Sequence, residues 1–327
     1  ADFPETKAAA NLIHDVVRGR AGRLVNQHGP VERVKDMHDS VSPVEGFSDG
    51  VKDAALGQNR LPRNARAYAQ VLARWNEATP GRGRSGVLAE TEFFSSHEAL
   101  LLSYEEALTR REIESDRYYN FGAHMLWLGD RTRHVNGAHV EYLRGLANPI
   151  GLKLGPTCAP EELLALLRVL NPLNEWGRIT LITRLGATHI ARLLPPLLQA
   201  VQRSRARVLW CCDPMHGNTI LTKAGWKTRA CDDILAELRQ CFALHRAHGS
   251  WLGGVHFELT GDNVTECLGG MQGLAETDLH RQYETYCDPR LNYVQSLEMA
   301  FEIVNAHQAE REAREASMAP KHAYASV

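Results

Sequence analysis

The stretch ARVLWCCDPMHGNT, residues 206–219, decides the fold and the position of the candidate site. Its apolar run, Val208–Cys212, has the length and composition of a buried strand in a parallel sheet. The run ends at Asp213, and the Pro and Gly that follow rule out a regular element. Asp213, His216 and Asn218 are therefore expected on a loop at the carboxyl end of a strand, where α/β proteins bind ligands. We take His216 as the centre of the site.

Short apolar runs and helical patterns alternate from residue 92 onward. Strands are predicted over residues 92–95, 123–128, 149–154, 178–183, 207–212 and 254–259. Helices are predicted over residues 160–170, 188–202, 232–247 and 297–318. This alternation implies parallel pairing with right-handed crossovers. The pattern predicts an α/β fold, a (β/α)8 TIM-type barrel whose first two strands are reduced, divergent or missing.

Three regions are expected along the chain. Residues 1–90 form a divergent N-terminal region of helices and loops, with helices predicted over 6–17 and 64–77. Residues 91–296 form the barrel core and its active-site loops, and residues 297–327 form a C-terminal helix and tail.

Composition excludes several classes of function. The chain is 44% hydrophobic and 23% charged, which is ordinary for a soluble globular protein. A formal net charge of −2 provides no attraction to nucleic acid or to an anionic membrane. There is no membrane-spanning apolar run and no signal-peptide pattern, so we expect a cytoplasmic protein. None of the seven cysteines lies in a CxxC pair, which indicates reduced, mostly buried thiols.

Three cations are expected at the ends of neighbouring strands. Lys153 lies inside an apolar strand, while Arg131 and Arg184 follow two others. A buried lysine costs free energy unless it is paired or faces a ligand, and both interpretations remain open for Lys153. Three converging cations need an anion or carboxylates nearby, and the arginine fork fits phosphate and carboxylate groups. The pattern therefore predicts a small anionic substrate, most simply a phosphorylated one.

One imidazole and two carboxylates are expected at the same edge of the sheet. They belong to His216, Glu258 and Asp288. This donor set suits a divalent cation such as Mn²⁺, Mg²⁺, Co²⁺ or Zn²⁺ and leaves positions open for water or substrate. A lone histidine is more often a hydrogen-bonded core or surface residue, but three such residues on successive loops favour a metal site. Serine catalysis is not indicated, because the GFSDG sequence at residues 46–50 does not follow a predicted strand, as a nucleophile elbow would. A P-loop is not indicated, because no complete Walker sequence occurs.

The chain resembles the type II (plant-like) 3-deoxy-D-arabino-heptulosonate 7-phosphate (DAHP) synthases. These are metal-dependent (β/α)8-barrel enzymes of the shikimate pathway, with relatives in phenazine and ansamycin-type biosynthesis. The resemblance extends from about residue 92 to residue 301. The segments that carry it are FFSSHEALLLSYEEALTR, WLGDRTRHVNGAHVEYLRGLANPIGLKLGP, RITLITRLG, WCCDPMHGNT, GWKTR, GGVHFELTGDNVTECLGG and YETYCDPRLNYVQSLEMAF.

The resemblance implies a role for each of the polar residues at the strand ends. Three of the family's four metal ligands are matched by His216, Glu258 and Asp288. The positions that bind phosphoenolpyruvate are matched by Arg131, Lys153 and Arg184. The catalytic positions are matched by Lys153, His216, Glu92 and Asp130, the last standing where the family usually has Glu. Further substrate-binding positions are matched by Lys227 and Arg20.

The implied reaction joins phosphoenolpyruvate to erythrose 4-phosphate or another phosphorylated aldehyde, with Mn²⁺, Co²⁺ or Mg²⁺ as cofactor and a homo-oligomer as the working form.

The sequence departs from the family near its N-terminus. The family's fourth metal ligand is a cysteine in a Gly-Gly-Asp-Cys-Ala-Glu segment, and here no cysteine precedes Cys158. The segment GRAGRLVNQHG, which contains Arg20, is an eroded counterpart of a second family motif.

Because of these departures, three functions remain open at this point. The chain is a synthase of the family type, a related barrel with a different lyase, transferase or hydrolase reaction in secondary metabolism, or a non-catalytic homologue.

Overall fold

The computed structural model describes residue 92 and residues 94–318, with side chains described up to residue 309. The helices predicted over 6–17 and 64–77, the first two barrel strands and the C-terminal tail lie outside these residues. The strands are β1 Ser96–Glu98, β2 Thr109–Glu112, β3 Arg117–Asn120, β4 Met125–Leu128, β5 Ile150–Leu154, β6 Ile179–Thr183, β7 Val208–Cys212, β8 Thr219–Leu221, β9 Lys227–Arg229 and β10 Leu252–Val255. The helices are α1 Leu102–Ala107, α2 Ala138–Arg144, α3 Pro160–Leu170, α4 Ile190–Ser204, α5 Cys231–Ala247 and α6 Tyr293–Met318.

Six of the strands form one parallel sheet in the order β1-β4-β5-β6-β7-β10. Helices α2, α3, α4 and α5 each connect one strand of this sheet to the next, as parallel pairing requires. This arrangement confirms the predicted α/β barrel-type fold over the described part of the chain. It also places the carboxyl ends of all six strands at one end of the sheet.

Two short antiparallel hairpins lie outside the central sheet. One is formed by β2 and β3, and the other by β8 and β9. Neither was predicted from the sequence, since each strand has only three or four residues and no alternation of apolar and polar side chains. Strand β9 of the second hairpin carries Lys227 and Arg229, which belong to the candidate site described below.

The strand predicted over residues 92–95 is wrong. The first strand is β1, at Ser96–Glu98, and it pairs in parallel with Met125, Leu126 and Trp127 of β4. The aromatic pair at residues 93 and 94 suggested an earlier strand. Pairing with β4, rather than local hydrophobicity, sets the position of this polar strand.

The strand predicted over residues 254–259 is correct only at its beginning. Strand β10 runs from Leu252 to Val255, and Val255 pairs with Cys212, the last residue of β7. His256 donates one further backbone hydrogen bond of 2.7 Å to the carbonyl of Cys212, after which Leu259 forms a bridge with Leu291 instead. The residues after β10 therefore contact a distant part of the chain, which the apolar pattern alone does not reveal.

Helix α6 begins at Tyr293, four residues before the predicted start at 297. The side chain of Asn292 accepts a hydrogen bond of 3.0 Å from the backbone N–H of Gln295, which is N-cap geometry. The earlier start follows from this cap. The ends of the other predicted helices and central strands agree with the structure within about two residues, the usual uncertainty of such boundaries.

The core lies between the sheet and the helices. All five residues of β5 are buried, including Lys153. Leu152 and Leu181 from the sheet belong to one hydrophobic cluster with Leu166 of α3 and Leu194 of α4. Within the described residues, no helix is both long enough and apolar enough to cross a membrane.

Substituting Leu152→Ala tests this packing. Leu152 is fully buried at the centre of the sheet, so we expect a loss of about 2–5 kcal/mol in the free energy of unfolding. Leu173→Ala is the matched control, because Leu173 is 78% exposed and should change stability by less than about 0.5 kcal/mol. Urea unfolding followed by circular dichroism measures both. Equal losses for the two variants would contradict the placement of Leu152 in the core.

Candidate metal and anion site

His216 is held by the buried carboxylate of Asp213, at the end of β7. Asp213 Oδ2 lies 2.7 Å from His216 Nδ1, and Asp213 Oδ1 accepts the backbone N–H groups of Met215 and His216 at 3.0 and 3.2 Å. The loop thus folds around one carboxylate. An imidazole that donates through Nδ1 presents Nε2 as its free ligand atom, the arrangement that metal-binding histidines use.

Glu258 and Asp288 face this Nε2 atom. Glu258 Oε1 lies 3.4 Å from it and Asp288 Oδ2 lies 3.9 Å from it. The three ligand atoms all lie within 4.8 Å of one another. The second oxygen of each carboxylate is held by a cation, Glu258 Oε2 by Arg229 and Asp288 Oδ1 by Lys227. One nitrogen and two oriented carboxylate oxygens fit a divalent cation with open coordination positions.

Backbone pairing outside the sheet brings the two carboxylates together. Leu291 donates its backbone N–H to the carbonyl of Glu258 at 2.9 Å, and Thr260 donates to the carbonyl of Leu291 at 2.9 Å. This pairing replaces the second half of the predicted strand at 254–259. The parallel bridge between Leu259 and Leu291 brings Glu258 near Asp288, although the two are thirty positions apart in the chain.

The loop that carries Asp288 is organised by Glu266, which is fully buried. Its carboxylate accepts the backbone N–H groups of Glu284, Thr285 and Arg290 at 3.1, 2.9 and 2.7 Å. The Arg290 guanidinium also contacts it, with Nη2 at 2.7 Å from Oε1. A satisfied buried network of this kind restricts the loop to one conformation.

Arg229 is a fully buried cation beside the two carboxylates. It donates to Glu258 and, through Nε, to Thr219 Oγ1 at 2.9 Å. Its Nη2 atom has no hydrogen-bond partner among the described residues and lies 3.6 Å from Asp288 Oδ1. A buried guanidinium is costly unless it is paired, so its position indicates that both carboxylates are ionised.

The pKa values agree with this charge arrangement. Burial opposes ionisation of Glu258, but the hydrogen bond from His216 and the charge of Arg229 outweigh it and lower the pKa. Burial of Asp288 is likewise outweighed by Lys227 and Arg229, which lower its pKa. The pKa of His216 is raised to about 9, because its bonds to Asp213 and Glu258 outweigh its burial. The cluster therefore binds a proton at neutral pH when no metal ion replaces it.

Lys153 and Arg184 contact the same loop from the neighbouring strands. Lys153 Nζ contacts Asp213 Oδ2, the oxygen that also contacts His216 Nδ1. Arg184 Nη2 donates to the carbonyl of His216 at 3.1 Å, and its Nη1 lies 3.2 Å from Asp130 Oδ2. The structure shows Lys153 in an ion pair with Asp213, and its role towards a ligand stays a prediction.

Asp130 and Arg131 lie at the next strand end. Asp130 Oδ1 accepts the backbone N–H of Gly155 at 2.7 Å and Arg133 Nε at 2.9 Å, so this carboxylate is occupied by internal partners. Arg131 is exposed and lines a cavity of about 480 Å³. The other residues around this cavity are Asp130, Arg133, His134, Thr157 and Glu162.

The cluster described so far does not include three of the predicted site residues, Glu92, Arg20 and Arg131. Glu92 is exposed and precedes β1 by four residues, and its catalytic assignment stays a prediction. Arg20 lies outside the described residues. Arg131 lines the cavity and forms no ion pair with Glu258 or Asp288.

Three residues of the site received no role from the sequence. Asp213 was visible in the loop, but its contacts with both Lys153 and His216 depend on the fold. Arg229 follows Lys227 by two positions on β9, so the two side chains lie on the same face of that strand, but the sequence did not predict the hairpin that carries them. His256 lies with its ring 6.2 Å from that of His216, and burial lowers its pKa to about 4, so it is neutral.

The fold and site define a class of protein, an α/β barrel-type domain with a candidate metal-and-anion site at the carboxyl ends of its parallel strands. The family model of the Class-II DAHP synthetase family matches residues 39–304. This match covers well over half of the chain, which therefore belongs to that family.

Curated relatives agree with the family match. A phospho-2-dehydro-3-deoxyheptonate aldolase of Neurospora crassa is 48% identical over 294 residues, covering 83% of this chain and 61% of that protein. The protein of that name (AroG) from Mycolicibacterium smegmatis is 50% identical over 219 residues, covering 65% of this chain and 47% of its own length. The chain thus spans about half of the length of the curated relatives it matches.

A solved structure, a truncated form of 3-deoxy-D-arabino-heptulosonate 7-phosphate synthase from Thermotoga maritima, covers 59% of this chain and 59% of that chain. The identity is 17% and the TM-score is 0.31. The fold described above rests on the sheet itself and not on this likeness.

The raised pKa of His216 predicts that metal affinity depends on pH. A metal ion must displace the proton on the imidazole, whose pKa is about 9. The apparent affinity for Mn²⁺ should therefore rise about tenfold per pH unit from pH 7 to pH 8 and level off above pH 9. Titration calorimetry in buffers of different ionisation enthalpy measures both the affinity and the released proton. An affinity that is constant over this interval would contradict the protonated state of His216.

Proposed function

We propose that this chain carries the active site of a metal-dependent synthase that joins phosphoenolpyruvate to erythrose 4-phosphate or a closely related phosphorylated aldehyde. The reaction consumes one water, which adds at C2 of phosphoenolpyruvate as phosphate leaves, and the products are DAHP, or its analogue, and inorganic phosphate. The observation that carries the proposal is the carboxylate of Asp213, which links the cation Lys153 to the imidazole His216. Membership of the Class-II DAHP synthetase family and relatives named phospho-2-dehydro-3-deoxyheptonate aldolase support it.

His216, Glu258 and Asp288 are the residues that would hold the divalent cation, for which Mn²⁺, Co²⁺ and Mg²⁺ are the candidates. When bound, such a cation polarises the aldehyde oxygen of the acceptor. Asp213 orients the imidazole, and Arg229 holds Glu258 so that its free oxygen faces His216 Nε2.

The basic residues bind the anionic groups of the substrates. Lys153 has three N–H donors and uses one on Asp213, which leaves two for a phosphate or carboxylate. Arg184 and Arg131 add guanidinium groups on the same side of the site. Lys227 is exposed beside Asp288 and suits the phosphate of the acceptor aldehyde. Fixed cations of this kind stabilise the charge that develops as the carbon–carbon bond forms and phosphate leaves.

The remaining expectations, a homo-oligomer that acts in the cytoplasm without a nucleic-acid or membrane partner, stay predictions.

The direct test is an assay of the 327-residue chain with Mn²⁺, phosphoenolpyruvate and erythrose 4-phosphate. Loss of the enol absorbance and release of phosphate should occur together, and His216→Ala should reduce both to background. His280→Ala is the control, because His280 is an exposed histidine of the 3-10 helix Glu276–Arg281 and belongs to none of the site contacts described above. Metal binding without turnover would favour a different reaction in the same barrel. Absence of both would favour a non-catalytic homologue.

Arg184→Ala tests the anion-binding role separately from metal binding. Loss of charged hydrogen bonds should weaken phosphoenolpyruvate binding about ten- to a hundredfold, while Mn²⁺ affinity changes less than about threefold. Arg168→Ala is the control, since Arg168 is an exposed arginine on α3. Calorimetry with each ligand measures the two affinities. Unchanged binding of phosphoenolpyruvate would remove Arg184 from the anion site.

A further inference from the structure

Glu237 is a fully buried carboxylate on α5 that the proposed reaction does not use. Its Oε1 atom accepts the backbone N–H groups of Leu185 and Gly186 at 2.8 and 2.9 Å. Its Oε2 atom accepts Asn218 Nδ2 at 2.8 Å. Among the described residues no lysine, arginine or histidine forms an ion pair with it, so three neutral N–H groups hold a buried negative charge.

These three donors come from two different loops. Leu185 and Gly186 directly follow Arg184, the cation after β6. Asn218 follows His216 by two positions, after β7. Asn218 extends the link, because its Oδ1 atom accepts the backbone N–H of Ala187 at 2.9 Å. Glu237 therefore connects the loop of the candidate anion site to the loop of the candidate metal site.

The two loops are in direct contact at this point. The backbone of Gly186 adopts a φ of +84° and touches Gly217, and a Cβ atom on Gly217 would lie only 2.4 Å from the nitrogen of Gly186. Two side chains also bridge these loops, Arg184 to the carbonyl of His216 and Asn218 to the backbone N–H of Ala187. Glu237, on α5, is a group from outside the two loops that accepts hydrogen bonds from both.

A carboxylate at this buried position loses its hydration, which costs free energy. Burial raises the pKa of Glu237 to about 7, against the effect of the hydrogen bonds it accepts. A glutamine would avoid the charge, but only one of its two terminal atoms accepts hydrogen bonds. Its NH₂ group would face either the two backbone N–H groups or the amide of Asn218. Only the carboxylate satisfies all three donors together.

We propose that Glu237 is a positioning residue that locks the Arg184 loop against the His216 loop, so that the anion-binding guanidinium and the metal-binding imidazole keep one fixed spacing. The roles of these two loops rest on the proposed function. The lock itself is a property of the ligand-free protein. Glu237 contacts no substrate and acts only through the loops it holds.

The test compares Glu237→Gln with Gln240→Leu. Gln240 lies one turn further along α5 and donates to the carbonyl of Ala187 at 3.0 Å, so it contacts the same loop through a single neutral bond. Binding of Mn²⁺ and of phosphoenolpyruvate is measured by calorimetry, well below the melting temperature of each variant. Hydrogen exchange is measured in the ligand-free proteins over residues 184–190 and 213–219.

For Glu237→Gln we expect faster exchange in both segments and a loss of about ten- to a hundredfold in affinity for each ligand, as for other residues that orient metal ligands. Gln240→Leu should stay within about threefold of the unmodified protein. A second variant, Asn218→Ala, removes the donor to Glu237 Oε2 and the acceptor for Ala187, and should also speed exchange in both segments and weaken both affinities.

Two outcomes overturn the proposal. One is a folded Glu237→Gln protein with unchanged exchange in both segments. The other is faster exchange with unchanged affinity for both ligands, which would make the carboxylate structural only. If the unmodified chain binds neither ligand, the proposed function fails, and hydrogen exchange alone decides whether Glu237 joins the loops.

Discussion

The site depends on one buried carboxylate. Asp213 accepts Lys153 Nζ and His216 Nδ1 on the same oxygen, and its other oxygen accepts two backbone N–H groups of the loop that follows. A carboxylate at such depth is stable only when its partners outweigh the loss of hydration. Here its hydrogen bond to His216 and the charge of Lys153 lower the pKa of Asp213 despite complete burial. Strand β5, strand β7 and the imidazole are therefore held at one point.

The rest of the architecture serves to bring distant chain segments to that point. Parallel strands with helical crossovers place Lys153, Arg184 and Asp213 side by side, although they are about thirty residues apart in sequence. The candidate ligands Glu258 and Asp288 are positioned by contacts outside the parallel sheet. Backbone pairing of Glu258 with Leu291, outside the sheet, and the buried Glu266 fix the position of Asp288. Rigid strands and satisfied loop networks together give the preorganisation that catalysis requires.

Much of the fold could be predicted from the sequence because buried parallel strands are short continuous apolar runs. The strands that were misplaced are those whose position depends on partners. Polar β1 is defined by its pairing with β4, and the chain after Val255 leaves β7 to pair with Leu291. Among the candidate site residues, His216, Glu258 and Arg184 stood out because each lies at the end of a predicted strand. Arg229 and Glu237 did not, because a charged residue on a short hairpin or a helix has no local signal of burial.

The protonated state of His216 determines the order in which ligands are expected to add. At neutral pH the imidazole is positively charged, because its pKa is about 9. Exchange of that proton for a divalent cation raises the charge of the cluster by one unit, while Lys153, Lys227 and Arg229 keep theirs. Under the proposed function, an anionic substrate would then approach a stronger positive field, which acts over a screening distance of about 10 Å at 0.1 M salt. Electrostatics would in that case favour binding of the cation before the anion, without any motion of the loops.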